Sequence, residues 1–292
     1  MKQFFLTFCA ACLLMACEAP YVGEPSSEPE SSQDVNVTLR VTGFEQIPFE
    51  NEGATRADED VVDLCSRLNF VIYSGADKVK SVAQKRGDKD YGTAAFSLPE
   101  GTYTFAVIGH QSEGTCTVTS LDKITFKDNR VTDTFLYCGD IEVTSEAKTY
   151  DVELHRVVAM VRFTIADEIP AEVKQMQFYY TGGSSTLSAL TGYGSVNSRQ
   201  TVKIDVKSGQ QLFELYTFPH AETGELKMTV TPLDATGEAW GAPVTFENLP
   251  VSRNYITCYT GEFFTDNSGQ KGGVSFNFSA SSAWDGEINY TP

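Results

Sequence analysis

The three histidines and the other residue types of this chain that could do chemistry are few and badly placed for catalysis. His110, His155 and His220 are scattered, and none has a second His or Cys at ligand spacing, so a zinc site lacks its donor set. His110 closes a strand pattern and is expected as a turn histidine; His155, beside Arg156 at the head of a strand, is expected at a surface or rim. No Gly-x-Ser-x-Gly is present, so there is no nucleophile elbow. Thr181-Gly-Gly-Ser-Ser185 and Thr191-Gly-Tyr-Gly-Ser195 are not followed by a helical pattern and read as flexible loop tips, not phosphate cradles. Glu142 and Glu146 could be posed as a glycosidase pair, but sequence spacing does not set the distance between two carboxyl groups. Cys65, Cys116, Cys138 and Cys258 remain beyond the first 17 residues, with no CxxC among them. Four cysteines allow three pairings, among which sequence does not choose; Cys116 with Cys138, both in strand-like segments, is the candidate disulfide, and free buried thiols acting as small hydrophobes are the alternative. The residues supply no catalytic group, no metal site and no cofactor, and an enzyme is not expected.

Charge narrows the partners. Acidic residues outnumber basic ones 39 to 22 in 292 residues, for a net charge of −17. That argues against nucleic acid, which needs a basic face, and against an anionic membrane surface held by charge alone. The N-terminus offers another attachment. Lys2 precedes an apolar run, Phe4–Leu14, too short to span a bilayer, which takes roughly 20 residues, and of signal-peptide size. It ends Leu14-Met15-Ala16-Cys17, which resembles a lipoprotein signal box: residues 1–16 form the signal and Cys17 is the lipidation site, with Met15 larger than usual at its position. Residues 17–34 are rich in Pro, Ser and Glu, with five acids and no base, and read as a solvated tether.

The elements that follow have a period of two. Val35, Val37, Leu39 and Val41 alternate with polar residues, the mark of a half-buried strand. Further strands are expected at Leu68–Tyr73, Ile124–Phe126 and Thr134–Tyr137, with Ala95–Leu98 and Thr102–Ile108 forming a hairpin about Pro99–Gly101. A second set covers Tyr150–Leu154, Val157–Ile165, Met176–Tyr180, Val202–Val206, Leu212–Thr217, Leu226–Thr231, Val244–Phe246 and Tyr255–Tyr259. Val157–Ile165 is apolar on both parities, as in a central strand buried on both faces. Only Asp58–Leu68 and Pro170–Gln175 could hold helical turns. The expectation is an all-β chain of two consecutive Greek-key β-sandwich domains, 35–147 and 148–265, with a C-terminal β extension, 266–292.

That extension alternates strictly. Val274, Phe276, Phe278, Ala280, Ser282, Trp284, Gly286, Ile288 and Tyr290 share one face, and the other is polar. Such a strand must be buried on a sheet. It is either the last strand of its own domain or a donor strand for another subunit, with Val274, Phe276, Phe278, Trp284, Ile288 and Tyr290 as the inserted residues.

The lipoprotein box, the acidic tether, the paired sandwiches, Leu98-Pro-Glu-Gly-Thr-Tyr-Thr-Phe105, Arg156-Val-Val-Ala-Met-Val-Arg-Phe163 and Ala283-Trp-Asp-Gly286 together resemble fimbrillin-type proteins, in particular the FimB-like anchor subunits of Bacteroidales fimbriae. The resemblance implies transthyretin-like sandwiches, lipid at Cys17, attachment to the outer membrane with surface exposure, and other fimbrial subunits as partners through β-strand addition. A host or bacterial surface ligand would be met at the level of the fibre. Glu52-Gly-Ala-Thr-Arg56-Ala57-Asp58 resembles the site at which polymerising members are cut after an arginine, which would mark a stalk or tip subunit. The other reading is a surface glycan-binding lipoprotein, for which Trp240 would be the aromatic platform.

Overall fold

In a computed structural model, residues 35–44 and 61–264 are described. Seventeen strands, one helical turn, α1 (Val61–Leu64), and a short 3-10 turn at Lys127–Asn129 account for the regular structure among them. The first ten strands are β1 (Val37–Phe44), β2 (Arg67–Ser74), β3 (Asp77–Lys85), β4 (Thr93–Phe96), β5 (Gly101–His110), β6 (Thr117–Ser120), β7 (Lys123–Thr125), β8 (Thr134–Val143), β9 (Lys148–Arg156) and β10 (Ala159–Ile165). The remainder are β11 (Gln175–Thr181), β12 (Thr186–Leu187), β13 (Gln200–Asp205), β14 (Leu212–Thr217), β15 (Thr223–Leu233), β16 (Val244–Ser252) and β17 (Ile256–Gly261). The all-β expectation holds.

The strands build two sandwiches with one plan. In the first, β3-β2-β5-β8 faces β9-β1-β4, and the two halves join through Phe135↔Arg156 and Leu136↔His155 between β8 and β9. In the second, β13-β11-β15-β16 faces β17-β10-β14. Each shorter layer has a middle strand, β1 or β10, parallel to the last strand of its sandwich and antiparallel to β4 or β14. Strand for strand, the second sandwich repeats the first. Side chains alternating inward from both layers fill each core: Val37, Leu39, Phe70, Phe105 and Leu154 in one, Val161, Phe163, Phe178, Phe213 and Val230 in the other.

Two expectations are corrected here. Ala95–Leu98 and Thr102–Ile108 do not pair as a hairpin, because β4 bonds to β1 while β5 bonds to β2 and β8. Pro99–Gly101 is a crossing between layers, which a local turn signal cannot distinguish from a hairpin turn. The strand at 148–156 pairs with β8 and β1, so β9 lies with the first set of strands, and the chain passes to the second at Val157–Val158.

A third apolar cluster lies between the sandwiches. Val71, Tyr73, Ala106, Ile108 and Leu136, on the outer face of β2, β5 and β8, pack with Val118, Ile124, Val157, Val158, Leu187, Ala189 and Phe218. β2 and β5 are thus buried on both faces, which is why their apolar residues run on without alternation. The glycine-rich loops are part of this joint and are not flexible tips. Ser184 exchanges two backbone bonds with Phe218, Gly194 N–H reaches Pro219 O at 2.8 Å, and β12 pairs with β7 in a separate three-stranded sheet, β12-β7-β6. Gly194 allows the approach: a Cβ there would lie 2.8 Å from Phe218 O.

Candidate functional site

β1 is held both by its hydrogen-bond ladders and by its inward side chains. It runs parallel to β9 from Val37↔Lys148 to Phe44↔Leu154 and antiparallel to β4 from Val37↔Phe96 to Arg40↔Thr93. Val37 and Leu39 point into the first core and are 1% and 0% exposed; burial of each stabilises by about 1.5–3 kcal/mol. Val41 packs on the same core, half-buried. At the start of the strand, the Asn36 amide imitates a backbone pair, donating to Leu98 O at 2.7 Å and accepting from Leu98 N–H at 3.0 Å. On the outer face, Arg40 Nε and Nη2 donate to the two carboxylate oxygens of Asp151 on β9 at 2.7 and 2.9 Å. The hydrogen bond and charge of Arg40 hold the Asp151 carboxyl below its usual range. Because β1 is interior to its layer, taking it out would leave edges of β4 and β9 facing a groove about 10 Å wide.

The segments on either side of this slot carry the residues singled out by sequence. Cys17, Arg56 and Ala57 lie outside the described residues, as do Val274, Phe276, Phe278, Trp284, Ile288 and Tyr290. Arg56 falls in the stretch between β1 and α1. At the other end, Phe263 and Phe264 donate their amides to the two Asp167 carboxylate oxygens at 2.7 and 2.5 Å. Trp240 packs edge-on against Phe264, ring centroids 5.8 Å apart, and is half-buried on the second core. Its ring is a packing element at this end of the sandwich.

The titratable residues are structural in their settings. His110 is fully buried at the end of β5, a setting that its strand-closing position did not reveal. Ser112 N–H donates to its Nδ1 at 3.2 Å, and its Nε2 lies 3.0 Å from the Asn69 amide nitrogen. On its other side the Asn69 amide oxygen accepts from Thr115 Oγ1. Burial, helped by the charge of Arg67, pushes the His110 pKa down to about 4. His155 is exposed on β9, and burial of part of its ring and Arg253 lower its pKa. His220 meets Gly194 O at 2.9 Å.

All four described cysteines are free thiols, so the expected Cys116–Cys138 bridge is not formed, although both border the cluster between the sandwiches. Burial raises their pKa values, Cys116 to about 12 and Cys138 to about 11, which keeps them as inert apolar thiols at neutral pH. Glu142 accepts through its backbone carbonyl from Tyr150 Oη at 2.8 Å. Among the described residues, no group of three or more His, Cys, Asp or Glu could hold a metal ion, and no helix is long and apolar enough to cross a membrane.

Sequence reasoning passed over one buried pair. Arg156, 1% exposed, donates from Nε and Nη2 to Asp133 at 2.7 and 2.9 Å, and its guanidinium lies 4.6 Å over the Phe135 ring. The signal was available: Val152, Leu154 and Arg156 share the inward phase of β9, where an arginine requires a partner.

Comparison with known proteins adds the following. The model of a family described as a family of unknown function, DUF6562, matches residues 29–291. No curated protein sequence matches the chain. Among solved structures, a candidate adhesin from Bacteroides ovatus is 12% identical with a TM-score of 0.50, covering 88% of this chain and 95% of that one. The fimbrial anchor protein Mfa2 from Porphyromonas gingivalis is 9% identical over 84% of this chain and 97% of that one, with a TM-score of 0.43. The tip fimbrial protein Mfa3 from the same organism, with a C-terminal truncation, is 10% identical over 86% and 99%, with a TM-score of 0.41. At these identities the likeness to the Bacteroides ovatus protein is one of fold.

Proposed function

The chain belongs to DUF6562, a family of unknown function, and from that premise we propose that it is a non-enzymatic fimbrial subunit. It is anchored in the outer membrane through lipid on Cys17, attaches a fimbria there, and limits or completes its assembly. The observation that carries this reading is the seating of β1. A strand with a ladder on both sides and two fully buried inward residues lies between the lipid-bearing terminus and the stretch that contains Arg56. Retained, it fills its layer and anchors the first sandwich to the tether. Released by a cut after Arg56, it would take the lipid with it and leave an open groove, and the chain would be a stalk or tip subunit. The alternating segment 274–292 supplies the complementary function, a strand for a neighbouring subunit. The fold is shared with a candidate adhesin, and adhesion is a property of the fibre it helps to build. The glycan-binding reading rests on Trp240, whose half-buried ring packs edge-on against Phe264.

The N-terminal state of the protein from native cell envelopes tests the proposal, by intact mass and peptide mapping. Acylated Cys17 with residues 17–56 present is the expected result. A start at Ala57 without lipid would make the chain a stalk or tip subunit. An unmodified start elsewhere would remove both fimbrial readings.

A further inference from the structure

The β1 slot and the C-terminal segment can be compared residue by residue. Three successive inward positions of β1 hold branched aliphatics, Val37, Leu39 and Val41, the first two sealed in a core with Phe70, Phe96, Phe105 and Phe135. Outward, Arg40 spans to both oxygens of Asp151. Ahead of them, the Asn36 amide closes on Leu98. On the apolar face of 274–292, every run of three successive positions contains an aromatic ring: Val274-Phe276-Phe278 at one end, Gly286-Ile288-Tyr290 at the other. The segment has no Lys or Arg to meet Asp151. Aligning Asn277 with Asn36 puts Phe278 where Val37 sits and Ala280 where Leu39 sits, overfilled at one position and hollow at the next.

We propose that the β1 slot is fitted to its own strand and rejects this chain's C-terminal segment, so that copies of this chain do not join one another by strand exchange. The strand that fits the slot carries branched aliphatic residues at its inward positions and a basic residue facing Asp151. The segment 274–292 is then a donor for a different subunit, one with room for aromatic rings. The meaning for assembly rests on the fimbrial reading above; the selectivity of the slot does not. A closed core accepts extra ring volume only by moving its neighbours.

Grafting residues 274–278 onto 37–41 of the full chain (Thr38→Ser, Leu39→Phe, Arg40→Asn, Val41→Phe) puts the segment's side chains in the slot. The expected result is a Tm lower by about 5–10 °C, with Thr38→Ser alone within about 2 °C of the parent. Should the graft not fold, Leu39→Phe beside Leu39→Ile makes the same comparison, the ring being the costly change. A graft or a Leu39→Phe variant with the parent Tm overturns the proposal. So does self-association of the full chain, by native mass spectrometry, that disappears on deleting 274–292; a monomer is expected. Failure of the fimbrial reading would be seen separately, in the N-terminal mapping, and leaves these outcomes unchanged.

Discussion

Arg40 and Arg156 make the same bidentate contact with an aspartate, and their surroundings make the two pairs unequal. Arg40–Asp151 stands in solvent, with about half of each side chain exposed, where water and salt weaken the attraction and Arg40→Ala should change stability little. Arg156 is sealed beside Phe135 at the junction of the sandwiches. Asp133→Ala would leave its guanidinium buried without that carboxylate, and a loss of about 3–5 kcal/mol in urea unfolding is expected. A loss no larger than that of Arg40→Ala would count against this account. His110 provides a second residue-scale prediction. Its folded pKa lies below the unfolded value, so its contribution is intact above about 6.5 and is lost as pH falls toward about 4. The His110 ring should stay neutral in an NMR titration until about pH 4; protonation near 6.5 would contradict its buried setting. At this scale the sequence places no second His or Cys at ligand spacing from a histidine, because spacing is a local property. It could not report that His110 is buried, since burial is decided by β2 and the segment around Phe126, which lie far along the chain.

The elements differ in how much of them local pattern could reveal. Leu212–Thr217 was read to its ends because alternation and turn residues agree there, and the residues appear as β14. β3 was passed over: an edge strand carrying Lys78, Lys80 and Lys85 has little apolar face, and lysines there discourage edge-to-edge association. β6 and β12 were passed over because they are short and gain their partners across the joint. The loop at 182–199 is the sharpest case, since Gly, Ser and Thr suit a mobile tip and a close-packed crossing equally well. The two are separable by experiment. Gly194→Ala should cost about 1–3 kcal/mol through its clash with Ser184 and Phe218, whereas Gly241→Ala, with open space around it, should stay within about 0.5 kcal/mol. Equal effects in thermal unfolding would mean that the loop is not packed as described.

At the scale of the molecule, the shared cluster makes the two sandwiches one cooperative system. Phe218, fully buried, joins Leu187 and Ala189 against the outer face of β2 and β5. Calorimetry should show a single unfolding transition, and Phe218→Ala should lower its midpoint through a loss of about 3–5 kcal/mol. Two resolved transitions would show that the sandwiches unfold independently. β1 is seated between β9 and β4 in the first of them. Sequence alone determined the all-β class and most strands, and it carries the alternation of 274–292 and the resemblance of the start to a lipoprotein signal, because period, composition and short motifs are written in neighbouring residues. Tertiary structure alone decided which layer each strand joins, that Pro99–Gly101 crosses between layers, that β9 closes the first sandwich, and that Val157–Val158 is the joint. Those outcomes depend on hydrogen bonds and buried faces between residues distant in sequence, and alternation marks a strand's buried face without naming the strand beside it.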